Sequence, residues 1–335
     1  MNITIIGAGS WGTALSLVLA DSGHNVRLWA RERELTDSIN TQNQNLLYLK
    51  DVVLPENIQC FSDYKQALKG AEAVLFATPS HVLRRVAEDV KPHLNGYEII
   101  ISVVKGIENE TYLTMSQVLT QVLDGVIDQD KIGVLYGPSH AEEVAKRKPT
   151  VVSVASYSTS TAKDIQSLFK SPMFRVYMNR DILGIEIAGS IKNIMAIAAG
   201  IAEGADFGDN AIAALITRGL QEMKRLGVRL GASQDTFAGL AGVGDLVVTC
   251  TSKHSRNRTV GYRIGKGESL NDIIASMNMV AEGVKTTKSV HGWATRLNVD
   301  MPITNSVYNV LFKGLNPKEG VYQLMTREQK EEILF

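Results

Sequence analysis

The chain has 335 residues, 44% apolar and 21% charged, with 35 basic side chains balancing 35 acidic ones. That length allows two or three cores, and the composition is ordinary for a globular protein. Zero net charge excludes a general affinity for nucleic acid or anionic membrane, which needs a surplus of Lys and Arg, while leaving local basic clusters able to hold small anions.

Cys60 and Cys250 stand far apart without metal-ligand spacing, and the six histidines are scattered, so neither a disulfide framework nor a metal site is expected. A reducing, cytoplasmic setting is expected. No signal peptide is read, because the chain runs straight into a strand and a glycine turn. The longest apolar run, Asn193 to Ala202, is bounded by Lys192 and Glu203 and is too short to span a bilayer.

In chain order, Asn2–Ile6 reads as a strand, followed by a glycine turn and a helix over Trp11–Ser22. Gly7, Gly9 and Gly12 fit GxGxxG. Gly7 permits the tight turn, Gly9 lets the backbone approach a pyrophosphate, and Gly12 lets helix and strand pack closely. The helix N-terminus offers unpaired N–H groups to the phosphates. A second strand, Asn25–Trp29, ends just before Arg31, Glu32 and Arg33. NAD-selective domains place an acidic residue here for the ribose 2′-hydroxyl. Arg31 instead favours the 2′-phosphate of NADP, unless it is only a solvated charge at a helix start.

Further strands are expected at Ala73–Ala77, Glu98–Val103, Lys131–Leu135 and Thr150–Ala155, with helices at Val82–Lys91, Tyr112–Leu123 and Ser158–Lys170. This alternation predicts a Rossmann-like, mostly parallel, doubly wound α/β sheet. From Ile182 onward the pattern is helical, clearest at Glu186–Gly204 and at Asn210–Leu226, the latter capped by Gly227. A boundary near Asn179–Ile182 divides the chain into a dinucleotide-binding domain, residues 1–180, and an all-α substrate and catalytic domain, residues 181–335.

Several residues can carry chemistry. Lys105 follows a strand, where open α/β sheets collect ligands, or is a loop lysine. Gly137 and Ser139 in YGPSHA either face a ligand or form a plain turn and cap. Lys192 lies within a segment apolar around its whole circumference, so its ammonium is expected to be buried. Desolvation and a neighbouring cation would lower its pKa and make a base usable near neutral pH. The alternative is a structural lysine paired with a buried carboxylate. Asn193 beside it can orient the same ligand or only support packing. Asp245 is the sole charge in GLAGVGDL and is either a site residue or a helix cap. Ser255, Arg256 and Asn257 in KHSRNR form either a solvated face or a phosphate grip.

Together these segments resemble NAD(P)-dependent glycerol-3-phosphate dehydrogenases. The motifs are GAGSWGTAL (Gly7–Leu15), VKGIE (Val104–Glu108), GPSHAEEV (Gly137–Val144) and GSIKNIMAIAAGI (Gly189–Ile201). GLAGVGDLVVTC (Gly239–Cys250), SRNR (Ser255–Arg258) and VAEGV (Val280–Val284) complete the series, in the family's order over most of the chain. The resemblance implies reversible reduction of dihydroxyacetone phosphate to sn-glycerol 3-phosphate, feeding glycerophospholipid synthesis. It further implies that Ser10, Trp11, Arg31, Ala141, Val280 and Glu282 contact NAD or NADP; the preference for NADPH is read from Arg31 and not from the resemblance. Lys105 and Arg256 would reach both cofactor and substrate. Gly137, Ser139, Asp245, Ser255 and Asn257 would hold the substrate, with Lys192 exchanging the proton and Lys105 and Asp245 assisting. No metal is required, and a homodimer is expected. Two rivals are a related dehydrogenase of hydroxy acids or ketoacids, which needs a carboxylate grip, and a non-catalytic dinucleotide sensor, which has no use for Lys192.

Overall fold

The structure is a computed structural model that describes residues 1–277, 281–329 and 331–332. Eight β-branched segments form the main sheet: β1 (Asn2–Ile6), β2 (Asn25–Trp29), β3 (Ile58–Phe61), β4 (Ala73–Phe76), β5 (Ile99–Ser102), β6 (Ile132–Tyr136), β7 (Thr150–Ser156) and β8 (Phe174–Met178). Their order is β8-β7-β6-β5-β4-β1-β2-β3. The stretch from β3 to β6 is the doubly wound arrangement in which the order reverses between β1 and β4, the switch point at which such sheets bind ligands beyond the strand C-termini. All neighbours run parallel except β6 and β7, which pair antiparallel. The central strands are buried on both faces, β4 and β6 throughout, as expected of a sheet covered by helices on each side.

All six expected strands are present. Two further strands, β3 and β8, escaped the sequence reading because they lie at the sheet's edges, where IQCF and FRVYM alternate polar with apolar residues. A two-stranded ribbon of Gln44–Asn45 and Leu49–Val53 was also missed; its strands are too short to show a period. The helix expected from Tyr112 starts at Met115. Tyr112 adopts a left-handed φ of 59°, and Thr114 with Gln117 forms a capping box that fixes the start.

The second half is helical in every described element, and all of its larger helices gather around one, Ile182–Gly204. With a mean hydropathy of 1.5 over an 18-residue window, that helix is long and apolar enough to cross a bilayer, but 94% of the window is buried inside the protein. It is the core of the helical half. Asp181 caps it by accepting from the Gly184 N–H. The next helix runs over Gly208–Arg229, past the expected stop at Gly227. Gly227 is there for contact: a Cβ on it would lie 2.1 Å from the Phe237 ring.

Candidate active site

The dinucleotide turn has the geometry its glycines require. Gly7 takes φ +117°, and a Cβ on it would strike the Ala77 carbonyl at 2.8 Å. A Cβ on Gly12 would sit 2.0 Å from the Gly7 oxygen, whereas one on Gly9 would meet nothing within 4 Å. Gly9 therefore faces open space at the N-terminus of the Ser10–Asp21 helix, the place where dinucleotide-binding turns receive a pyrophosphate. Ser10 is buried in the first helical turn and Trp11 is half-buried beside it. Ala141 begins the short helix Ala141–Ala145, which packs on the same dinucleotide helix. Arg31 emerges beyond β2 with its side chain 83% exposed and pairs with Glu32 at 2.8 Å.

The chemical centre lies where the sheet meets the helical half. Lys105, on the loop after β5, and Lys192, on the core helix, share one carboxylate. Lys105 Nζ is 2.6 Å from Asp245 Oδ2 and Lys192 Nζ is 2.5 Å from Asp245 Oδ1. Lys192 also donates to Thr249 Oγ1 at 2.7 Å, and Lys105 to the Gly137 carbonyl at 3.2 Å. Asp245 is 1% exposed and Lys192 6%. A wide π-type turn over Leu240–Gly244 delivers Asp245 as the first residue of the Asp245–Thr251 helix, so its carboxylate serves the lysines and caps nothing. Burial alone would raise the Asp245 pKa, but the two ammonium groups outweigh it and hold the carboxylate ionised. Burial pushes Lys192 down to about 7; Lys105 reinforces the shift while Asp245 opposes it. One carboxylate cannot neutralise two ammonium groups, and the surplus positive charge makes Lys192 ready to give up a proton.

The basic run lies at the start of a helix packed against the core helix. Ser255 caps the Arg256–Gly265 helix, its hydroxyl accepting from the Arg258 N–H at 3.2 Å. Ser255, Arg256 and Asn257 thus sit at a helix N-terminus, which attracts anions. Arg256 is exposed, while Asn257 is buried and donates to Asn193 Oδ1 at 3.0 Å, next to Lys192. Glu282 receives a bond from the Ser80 N–H at 3.1 Å and another from the Ser80 hydroxyl, linking the helical half to the loop after β4. Ser139 is half-buried, its hydroxyl donating to the Gly137 carbonyl at 3.1 Å. Val280 lies outside the described residues.

Sequence reasoning missed two features of this centre. Thr249 is one turn after Asp245, a spacing that could have revealed it. The second is how closely the Arg256–Gly265 helix packs on the core helix that carries Lys192. A Cβ on Gly200 would lie 2.0 Å from the Arg258 oxygen, and one on Gly261 2.0 Å from the Ile197 oxygen. Helix backbones touch at this crossing, and the ion pair of Arg258 with Glu203 at 2.5 Å ties its end. Glycine at four-residue spacing in both segments, Gly200 with Gly204 and Gly261 with Gly265, was the available signal.

A glycine turn of dinucleotide-binding geometry in an α/β sheet, joined in one chain to a buried lysine that shares a carboxylate with a second lysine, is the makeup of a dinucleotide-dependent oxidoreductase. Residues 2–162 match the N-terminal family model of NAD-dependent glycerol-3-phosphate dehydrogenase and residues 181–322 match its C-terminal one. The glycerol-3-phosphate dehydrogenase [NAD(P)+] 1 of Salinibacter ruber is 51% identical over 99% of this chain and 97% of its own. The Geobacillus thermodenitrificans enzyme of the same activity is 50% identical over 99% of this chain and 96% of its own. The crystal structure of glycerol-3-phosphate dehydrogenase from Coxiella burnetii superposes with a TM-score of 0.93 at 40% identity, covering 97% of this chain and 99% of that one. The chain belongs to the NAD-dependent glycerol-3-phosphate dehydrogenase family. It is an oxidoreductase that uses NAD or NADP.

Proposed function

We propose that this enzyme reversibly reduces dihydroxyacetone phosphate to sn-glycerol 3-phosphate, with Lys192 exchanging the proton, and that its product serves glycerophospholipid synthesis. The observation that carries the reading is Lys192, buried, hydrogen-bonded to Asp245 and Thr249, and held near neutrality in pKa. Bound NAD(P)H supplies the hydride. Asp245 and Thr249 engage two of the three ammonium N–H groups of Lys192, leaving the third for the substrate's carbonyl oxygen. As negative charge develops on that oxygen, Lys192 transfers its proton and Lys105 stabilises the remainder. Asp245 keeps both ammonium groups aimed at one point. Ser255, Arg256 and Asn257 grip the phosphate at the helix N-terminus, with Gly137 and Ser139 lining the opposite side, so the carbonyl is held in register for transfer. In the reverse direction neutral Lys192 accepts the hydroxyl proton.

Residues 1–180 form the cofactor unit in this reading and 181–335 the substrate unit. Gly7, Gly9, Ser10, Trp11, Gly12 and Ala141 hold the dinucleotide, with Arg256, Val280 and Glu282 reaching it from the helical half. Arg31 receives the 2′-phosphate of NADPH, exchanging an exposed and therefore weak ion pair with Glu32 for it. The enzyme is taken to be a cytoplasmic homodimer. Steady-state oxidation of NADPH and NADH with dihydroxyacetone phosphate tests the reading, with unphosphorylated dihydroxyacetone and a ketoacid as alternatives. Turnover confined to the phosphorylated ketone, with NADPH preferred and the preference lost in Arg31→Ala, is expected. A faster ketoacid rate overturns the assignment of substrate.

A further inference from the structure

Tyr136 ends β6 with no exposed surface, and it touches both lysine-bearing segments. Its hydroxyl donates to the backbone carbonyl of Val104, the residue before Lys105. The Lys105 ammonium stands over its ring, 5.8 Å from the centroid, within the range at which a cation is attracted to an aromatic face. The carbonyl of the next residue, Gly137, accepts from the same ammonium. The ring also packs on the core helix: a Cβ on Gly189 would lie 2.6 Å from Tyr136 Cδ2. Gly189 is three residues before Lys192 and therefore on the same helix face. One rigid side chain thus fills the space between the loop that carries Lys105 and the helix turn that carries Lys192.

We infer that Tyr136 is a positioning residue that sets the separation of Lys105 and Lys192 across Asp245. The inference rests on the proposed roles of those lysines. Its hydroxyl fixes the loop, its ring supports the ammonium, and its contact with Gly189 fixes the distance to the helix. A merely space-filling aromatic would need neither the bond to Val104 nor the ammonium over its face.

The test compares Tyr136→Phe, Tyr136→Leu and Gly189→Ala with wild type in dihydroxyacetone phosphate reduction by NADPH, across pH. Tyr136→Leu removes ring and hydroxyl together; its kcat is expected to fall on the order of tenfold, the scale of a small misplacement of catalytic groups. The inflection of the pH profile should move with it. Tyr136→Phe keeps the ring but loses the bond to Val104, so its kcat should fall between those of Tyr136→Leu and wild type. Gly189→Ala pushes the ring without deleting it and should move the same inflection. If Tyr136→Leu fails to fold, Gly189→Ala carries the test. Wild-type kcat and an unmoved inflection in every folded variant overturn the inference. Lys192→Ala is assayed alongside. If it keeps wild-type kcat, the proton-transfer reading falls; if it is inactive while the Tyr136 and Gly189 variants are unaffected, only the present inference falls.

Discussion

Lys192 shows how much one residue discloses through its surroundings. A lysine inside ILGIEIAGSIKNIMAIAAGIA is an anomaly that sequence exposes at once, because an apolar helix has to bury it. Sequence alone leaves open whether it serves structure or chemistry, and the geometry supplies the buried carboxylate that the structural alternative expects. Lys192 is indeed paired with a buried carboxylate, Asp245, but it shares that carboxylate with Lys105. Pairing of that kind does not satisfy the charge. Lys192→Ala is accordingly expected to lower kcat by a factor on the order of 10² or more, the usual contribution of a positioned acid or base, while NADPH affinity measured by fluorescence titration stays at the wild-type value. A variant that kept its kcat would show that another group moves the proton. The partnership itself was not legible: Lys105, Lys192 and Asp245 are distant in sequence, and only the folded chain brings them within hydrogen-bonding distance.

At the scale of elements, the N-terminal strand, turn and helix were legible because every signal in them is local. Period, glycine spacing and the strand-turn-helix order all lie within Asn2–Asp21. The edge strands β3 and β8 were not, since their pairing comes from neighbours and their own sequences are mixed. The glycines make a sharp test of cradle against packing. Gly9 has φ −69°, which alanine adopts without strain, and its Cβ would meet nothing in the protein. Gly9→Ala should therefore leave the melting temperature of the cofactor-free enzyme within a degree or two of wild type, roughly the scale of a neutral surface change, while raising KM for NADPH several-fold. Gly12→Ala should lower the melting temperature itself, because its Cβ would overlap the Gly7 carbonyl. Equal thermal losses in both variants would mean that Gly9 serves packing and not the cofactor.

Over the whole molecule, buried polar side chains join the two halves. Glu186, on the core helix, accepts from the Ser116 N–H at 2.8 Å, the Thr114 hydroxyl at 2.7 Å and the Ser116 hydroxyl at 2.5 Å, all on the sheet side. Burial raises its pKa and these donors oppose the rise. Removing the carboxylate would strand several buried donors, so Glu186→Ala should lower the unfolding free energy by about 3 kcal/mol in urea denaturation. A loss below about 0.5 kcal/mol, typical of a surface site, would remove Glu186 from the account of how the halves are held. No periodicity announces such a tie. Its acidic residue sits in an apolar helix just as Lys192 does, yet the sequence reading singled out only the lysine.

In the proposed mechanism Lys192 exchanges a proton near neutral pH, and the pH dependence of kcat/KM for dihydroxyacetone phosphate reduction tests this most directly. Lys192 titrates at about 7, with Asp245, Lys105 and His140 around it, and the reductive direction needs its protonated form. The account predicts a plateau below pH 7 and a fall of about tenfold per pH unit above it, with oxidation of glycerol 3-phosphate rising through the same inflection. A reductive kcat/KM that stays flat to pH 9, or rises through pH 7, would contradict it.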